Sequence, residues 1–336
     1  MPYDNCVLIG RFQPFHNEHL RLIKKSLEEA KKVIILLGSY KAAPNFRNPW
    51  TFSERVTMIQ DALPEDILKR VSFVPIRDYL YNDNRWIAQV QHKVKEAVKH
   101  GESVCLGGTE KDATSYYLKL FPQWRKVGTC LINPLNATDI RHSYFSGGDE
   151  WRNMVPSQTA TYLEEFMAED RYKNIAEERE FVRGYKKLWE AAPFPPTFVT
   201  TDVMVEQGGH VLVIKRGHNP GKGLFALPGG FINQGESIQA SALRELYEET
   251  HITLPKGLVE DSIKECRVFD HPLRSLRGRT ITHAYHIKLE DRDLPNVKAG
   301  DDAAEAHWLS LSDLAEYEDR FFEDHLHIIN HFVSKE

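Results

Sequence analysis

Residues 6 to 37, CVLIGRFQPFHNEHLRLIKKSLEEAKKVIILL, decide the fold of the first half of the chain. Cys6 to Ile9 is an apolar run of strand length, and Val33 to Leu37 is another. Between them Leu20, Ile23, Leu27 and Ala30 recur at three-to-four spacing while Lys24 and Lys25 fall off that stripe, so a helix from Asn17 to Ala30 buries one face against a sheet. Glu54 to Ala62 behind a capping Ser53, Val71 to Val74, Trp86 to His100 and Val104 to Leu106 continue the alternation of strand and helix. This predicts an α/β unit with a doubly wound parallel sheet.

The whole chain of 336 residues suggests two domains at about 100 to 200 residues each. Lys plus Arg (43) against Asp plus Glu (48) gives a net charge of -5, which supplies no global attraction for nucleic acid or an anionic membrane. Val33 to Leu37 is the longest purely aliphatic run, far short of the ~18 residues of a membrane span. The start MPYDNCVLIG lacks the pattern of a signal peptide, so a cytoplasmic location is expected. Cys6, Cys105, Cys130 and Cys266 are widely spaced and read as reduced core thiols.

Pro156 to about Trp189 is helical and acidic, and AAPFPPTF at residues 191 to 198 packs three prolines into a stiff linker. The expected domains are therefore residues 1–155 and 197–336, joined by a helical connection and linker over 156–196. Val199 to Val205 and Val211 to Ile214 read as strands around a Gly208-Gly209 turn, the start of a hairpin-rich domain.

GRFQPFHNEHL, residues 10 to 20, lies where the first strand passes into the first helix, the place where such sheets bind phosphates. His16 and His19, three residues apart, can face one phosphate chain, and Arg11 adds a cation. LNATDIRHSYF, residues 135 to 145, repeats the logic, with Asn136 or Thr138 capping a short helix and Arg141 about one turn in. Together the two fragments resemble the nucleotidyltransferase superfamily with HxGH and ISxTxxR-type motifs. GRFQPFH, YNDNRW (81 to 86), GGTEKDATSYYLKLFP (107 to 122) and NATDIR are similar to nicotinamide mononucleotide adenylyltransferase, which makes NAD and pyrophosphate from ATP and that mononucleotide. The resemblance implies that His16, His19 and Arg141 hold the ATP phosphates as catalytic groups. Gly10, Arg11, Phe12 and Thr138 would line the nucleotide site, and Asn82, Asp83, Trp86, Lys111 and Asp112 the mononucleotide pocket. Where the family has glycine in HxGH, this chain has Glu18, a carboxylate that repels a polyphosphate unless it points away or meets magnesium.

LPGGFINQGESIQASALRELYEETHI, residues 227 to 252, matches the Nudix box, G x5 E x7 RE U x EE x G U, except that His251 replaces the last glycine. That position ends a helix, where glycine gives a left-handed cap, so His251 should cost about 1 kcal/mol or tilt the helix end. Glu245, Glu248 and Glu249 stand at i, i+3 and i+4, sharing one face while Leu243, Leu246 and Tyr247 turn to the core. Such hard oxygens suit Mg²⁺ or Mn²⁺ and point to cleavage of a diphosphate. Gly229 in the preceding loop is counted with the three carboxylates as a metal-binding position. Arg244 is expected to orient Glu248.

HPLRSLRGRTITHAYHI, residues 271 to 287, concentrates Arg274, Arg277 and Arg279 in a segment suited to a dinucleotide's phosphates. With the linker and the tail GDDAAEAHWLSLSDL (300 to 314), it is similar to the Nudix half of bacterial bifunctional proteins that fuse the adenylyltransferase to an ADP-ribose pyrophosphatase. The fold so implied is a nucleotidyltransferase domain followed by an α+β Nudix domain, a mixed sheet carrying the Nudix helix. ADP-ribose hydrolysis to AMP and ribose 5-phosphate follows from the resemblance, with Glu305 as an added acid/base group and a homo-oligomer compatible with it. His327 and His331 read as part of a terminal amphipathic helix. Two other readings stay open: a Nudix hydrolase whose first domain only binds nucleotide, and an ADP-ribose-sensing regulator, although no basic recognition helix stands out.

Overall fold

Cys6 and Leu8 enter one apolar cluster and Val7 the opposite one, and Val33, Ile35 and Leu37 alternate in the same way with Ile34 and Leu36. Continuous apolar runs are thus explained by a sheet buried on both faces. In a computed structural model, which describes residues 1–108, 118–128, 135–290, 293–300 and 302–334, these runs are strands β1 (Tyr3–Gly10) and β2 (Ala30–Leu37). With β3 (Val71–Pro75), β4 (Val104–Gly108) and β5 (Arg125–Gly128) they form a five-stranded sheet in the order β3-β2-β1-β4-β5. Its neighbouring pairs are all parallel. The order reverses at β1, so the crevice beyond Gly10 and Gly108 is a topological switch point.

The helix Asn17–Glu29 buries Ile23, Ser26 and Leu27, as its stripe requires. The helix Phe52–Ala62 begins two residues earlier than its sequence suggests. Thr51, not Ser53, is its cap, accepting from the Glu54 N–H while Glu54 Oε2 accepts from the Thr51 N–H at 2.7 Å. The helix expected from Trp86 to His100 runs Asp83–Ala97, with Asn82 as its cap.

The chain divides into two compact units, Met1–Glu177 and Glu178–Glu336. This differs from the connector expected over 156–196. Leu163, Phe166 and Ile175 join Trp50, Tyr144 and Trp151 in the first unit's core, so apolar burial draws residues 156–177 into that unit. In the second unit, Glu178 Oε1 accepts from the Gly221 N–H at 3.0 Å, and Tyr185 and Trp189 lie 5.5 and 5.4 Å from the Phe198 ring.

The second unit contains β6 (Thr197–Gln207), β7 (His210–Arg216), β8 (Phe225–Ala226), β9 (Gly229–Phe231), β10 (Ile263–Phe269), β11 (Arg279–Lys288) and β12 (Ala303–Ser310). They make a seven-stranded mixed sheet, β10-β11-β6-β7-β12, with β8 on β7 and β9 on β6. The β11/β6 pair is parallel and the other pairs antiparallel. Gly208 and Gly209, at φ 52° and 72°, make the two-residue turn between β6 and β7, a conformation open to glycine at both positions. The helix Ile238–Thr250 packs Ala242, Leu243 and Leu246 on Val203, Val205 and Ile287.

Cys6 and Cys105 are buried free thiols, whereas Cys266 is exposed on the edge strand β10, which corrects the expectation of a core residue there. Cys130 lies outside the described residues. No helix among the described residues is long and apolar enough to cross a membrane.

Candidate functional sites in the two units

In the first unit the segment after β1 is held by three polar clamps. The Gln13 side chain donates to the Trp50 carbonyl at 2.8 Å and accepts from the Trp50 N–H at 3.1 Å. Buried Arg55 donates Nη1 to the carbonyls of Arg11 and Gly38, each at 2.7 Å, tying the end of β1 to the end of β2. Arg141, also buried, donates Nη1 to the Gln13 carbonyl at 2.6 Å, Nε to the Phe46 carbonyl at 3.0 Å and Nη2 to Thr138 Oγ1 at 3.2 Å. Gln13 and Arg55 were not singled out in the sequence. An arginine inside a helix reads as a surface residue until its inward direction is known.

All three hydrogen-bonded partners of Arg141 among the described residues are neutral. Burial, reinforced by the Arg11 and Arg47 cations, pulls its pKa down to about 9. Asp139 pulls the other way more weakly, so this charge, hydrogen-bonded to no carboxylate among the described residues, is one that an anion relieves. Asn136, rather than Thr138, caps the helix Ala137–Phe145, accepting from the Thr138 N–H at 2.9 Å.

His16 caps the helix Asn17–Glu29 and is buried, its ring stacked on that of His19 with centroids 3.5 Å apart. His19 Nδ1 accepts from the His16 N–H at 3.3 Å, so the neutral His19 ring carries its proton on Nε2. The Phe12 ring, 4.4 Å from His19, holds the other side, and a Cβ on Gly10 would meet the Phe12 ring at 3.0 Å. Arg11 is exposed and donates to Asn48 Oδ1 at 3.4 Å. Glu18 turns to Arg21, which donates Nε and Nη2 to Glu18 Oε2 at 3.1 and 2.9 Å.

Asn82 Oδ1 accepts from the Arg85 N–H at 2.9 Å and Asp83 starts the helix behind it. Trp86 is half-buried with its ring 5.8 Å from Phe121. Lys111 and Asp112 lie outside the described residues.

In the second unit Arg244 is a hub. It grips Glu236 through Nε and Nη2 at 3.0 and 2.7 Å and donates Nη1 to Glu245 Oε1 and Glu248 Oε2 at 2.9 and 2.8 Å. Its guanidinium holds the Glu236 carboxyl down at about 2. The expected orientation of Glu248 by Arg244 is therefore part of a wider clamp fastening the glycine loop to the helix.

Glu249 is buried and its Oε2 accepts from the Gly229 N–H at 2.8 Å. Burial, with Glu245 nearby, pushes its carboxyl up to about 8 against the pull of the Gly229 N–H and Arg216. Both glycines of the loop are demanded by close approach. A Cβ on Gly229 would meet the Thr201 carbonyl at 2.1 Å, and one on Gly230 would meet Glu245 Oε1 at 2.5 Å. His251 ends the helix in the left-handed region, φ 40° and ψ 38°, as its place in the box predicts.

Among the described residues no group of three His, Cys, Asp or Glu side chains converges as a ready metal shell. The donor set fits a hard dication all the same: the three carboxylates project from one helical turn, and the raised pKa of Glu249 marks a buried charge that a cation would stabilise.

The arginine cluster separates. Arg274 is buried and donates Nε and Nη2 to Asp324 at 2.9 and 2.8 Å, with Asp202 Oδ2 at 3.5 Å, which corrects its reading as a phosphate ligand. Two buried carboxylates already neutralise it. Arg279 faces Asp270, with Nη2 3.5 Å from Oδ2. Arg277 lies over the Phe231 ring, 5.1 Å from its centroid, next to the glycine loop. Glu305 is exposed and paired with Lys215 at 2.9 Å, which holds its carboxyl below the usual range. His327 and His331 lie on the terminal helix His325–Val333, with His331 5.4 Å from the Phe269 ring.

Residues 193–332 match the NUDIX domain family and residues 7–119 the cytidylyltransferase-like family. Over 174 residues the chain is 38% identical to the nicotinamide/nicotinic acid mononucleotide adenylyltransferase of Acinetobacter baylyi, spanning 52% of this chain and 92% of that protein. Two crystal structures of a bifunctional NMN adenylyltransferase/ADP ribose pyrophosphatase from Francisella tularensis, one complexed with AMP and a manganese ion, superpose with a TM-score of 0.93. Their identities to this chain are 36% and 37%, covering 99% of each chain. With both motif-bearing units matched over this length, the chain belongs to the family of bifunctional NMN adenylyltransferase/ADP-ribose pyrophosphatases.

Proposed function

We infer that the chain carries two activities of NAD metabolism, one in each unit. The first unit joins ATP and nicotinamide mononucleotide into NAD and pyrophosphate. Buried Arg141, near the Arg11 and Arg47 cations and with neutral acceptors, is the observation that carries this reading. The acceptor is itself a phosphate and needs no strong base, so positioning and charge neutralisation account for catalysis. His19 donates from Nε2 and Arg141 stabilises the charge that collects on the leaving pyrophosphate. Asn82, Asp83 and Trp86 are assigned to the mononucleotide, the indole face suiting a pyridinium.

The second unit hydrolyses ADP-ribose to AMP and ribose 5-phosphate. Glu245, Glu248 and Glu249, with the main chain at Gly229, would hold a divalent cation, which we take to be Mg²⁺. Bound there, it supplies neutralisation of the diphosphate and acidification of water. Arg244 keeps Glu245 and Glu248 in register while the Gly229 N–H holds Glu249, and Arg277 beside Phe231 is the arginine assigned to the substrate. The Lys215 ion pair keeps Glu305 ionised at neutral pH, so it cannot serve as a general acid there. Both activities fit a cytoplasmic enzyme.

Incubating the protein with ATP, nicotinamide or nicotinate mononucleotide, and ADP-ribose in magnesium, and resolving the products by chromatography, tests both halves. Glu249→Gln should lose at least about two orders of magnitude in ADP-ribose hydrolysis while NAD synthesis continues. Equal loss of both activities would refute two independent catalytic units.

A further inference from the structure

The turn that precedes the Nudix helix is pinned by three successive hydrogen bonds. The Leu227 N–H donates to His325 Nδ1 at 2.9 Å, the Val203 N–H donates to the Pro228 carbonyl at 2.8 Å, and the Gly229 N–H donates to Glu249 Oε2 at 2.8 Å. The second comes from the central strand β6 and the third reaches the helix. The first comes from the far end of the chain, 98 residues away.

His325 opens the terminal helix His325–Val333 and is itself buried. Nδ1 accepts, so the ring is neutral with its proton on Nε2, which lies 3.9 Å from Asp202 Oδ1. Asp202 in turn accepts from Thr282 Oγ1 at 2.7 Å and faces Arg274, which is fixed by Asp324, the residue before His325. The imidazole is thus fixed by its one hydrogen bond from the Leu227 N–H and faces the Asp202–Arg274–Asp324 network at electrostatic range. Its lone pair meets a main-chain amide two residues before the one that holds Glu249. The Ile328, Ile329 and Phe332 side chains bury the helix behind it.

We propose that His325 is a positioning residue for the diphosphate-cleaving site: by accepting the Leu227 N–H it fixes the Leu227–Gly230 turn and so the amide that orients Glu249. This rests on the hydrolytic reading of that site given above. His325 touches no reacting atom in this assignment. Its effect passes through the main chain, as partners one layer behind a metal ligand commonly act, with losses of about 10- to 100-fold in affinity or activity when they are removed.

Leu and Asn are close in shape, and only Asn keeps an acceptor near the position of Nδ1. The full-length His325→Leu variant should show kcat for ADP-ribose hydrolysis reduced about 10- to 100-fold, KM within about threefold, and Mn²⁺ affinity by electron paramagnetic resonance weakened about tenfold. His325→Asn should recover to within about threefold of the unsubstituted protein in each. Hydrogen exchange of the Leu227 amide, slow in the unsubstituted protein, should quicken in His325→Leu and slow again in His325→Asn. Equal impairment of the two variants would reduce His325 to packing and overturn the proposal, as would a His325→Leu variant with unchanged kcat and exchange. A fast-exchanging Leu227 amide in the unsubstituted protein overturns it with no variant at all. Absence of hydrolysis in the unsubstituted protein would instead refute the reaction, while the exchange and Mn²⁺ measurements would still decide whether His325 holds the loop.

Discussion

Arg21 closes on Glu18 across one helical turn, Nε and Nη2 both reaching Glu18 Oε2, at 3.1 and 2.9 Å. That pairing stands where the resemblance expects a glycine, between His16 and His19. A carboxylate so engaged brings little net charge to a bound polyphosphate, because its repulsion is cancelled at close range by a cation on the same helix.

Glu18→Gln should therefore leave ATP affinity within about twofold and lower stability by about 0.2–1 kcal/mol, the range of partly exposed ion pairs. ATP titration and thermal unfolding of the same variant check both. A several-fold gain in ATP affinity would show that the carboxylate faces the nucleotide.

Arg141→Lys preserves charge but cannot reproduce three directed donors. The carbonyls of Gln13 and Phe46 would lose their partner, at about 1–3 kcal/mol for each buried group left unpaired. NAD formation should fall at least about 100-fold, while ADP-ribose hydrolysis, measured on the same sample, stays unchanged. Near-normal NAD formation would mean that charge alone suffices.

The β1-helix-β2 passage was legible because its apolar stripe and strand runs are local, and the Nudix helix because its residues sit in one continuous segment. What was hidden depends on distant partners. Arg274 looks like a phosphate ligand in sequence because Asp202 and Asp324, which neutralise it, lie 72 and 50 residues away. Arg55 is hidden for the same reason, since its carbonyl acceptors belong to loops 44 and 17 residues off. The helix cap at Thr51 was legible in principle, for Thr51 and Glu54 have capping-box spacing, but Ser53 offers a competing start two residues nearer the apolar run.

Where the second unit begins is a testable matter of packing. Glu178 holds the Gly221 N–H and the Tyr185 and Trp189 rings cover Phe198, so a fragment of residues 178–336 should be soluble and hydrolyse ADP-ribose. A fragment of residues 197–336 should unfold at lower denaturant concentration, having lost the partner of a buried amide and the cover of an aromatic ring. Equal midpoints for the two would return the boundary to the proline-rich linker.

His251 adopts the left-handed conformation that glycine enters without steric cost. His251→Gly should stabilise the second unit by up to about 1 kcal/mol, less the extra freedom that glycine gives the unfolded chain. The main-chain cap should survive, because the Lys298 and Gly300 N–H groups donate to the Thr250 and Glu249 carbonyls at 2.8 and 3.1 Å. Urea unfolding should show a higher midpoint with hydrolysis within about twofold. A lower midpoint would show that the imidazole makes a contact worth more than the strain it imposes.

Acid should act on the second unit through His325. Burial holds its pKa below the ordinary value of 6.5, although Asp202, Asp324 and Glu323 pull it upward, while Arg274 adds to the lowering. The unfolded chain therefore binds a proton that the folded one refuses. The contribution of His325 is complete above pH 6.5 and is lost as the pH falls below it. Glu249, pushed up to about 8, has the opposite slope, since its folded form takes the proton more readily. The two effects overlap, so the test is a difference. In urea unfolding of residues 178–336 with chelator, the stability of the unsubstituted fragment minus that of His325→Asn should decrease steadily from about pH 7 to pH 5, a range above ordinary aspartate titration. A difference that stays flat would mean that His325 titrates alike in both states, and one that grows on acidification would mean that the folded ring is charged, with the Leu227 N–H bonded elsewhere.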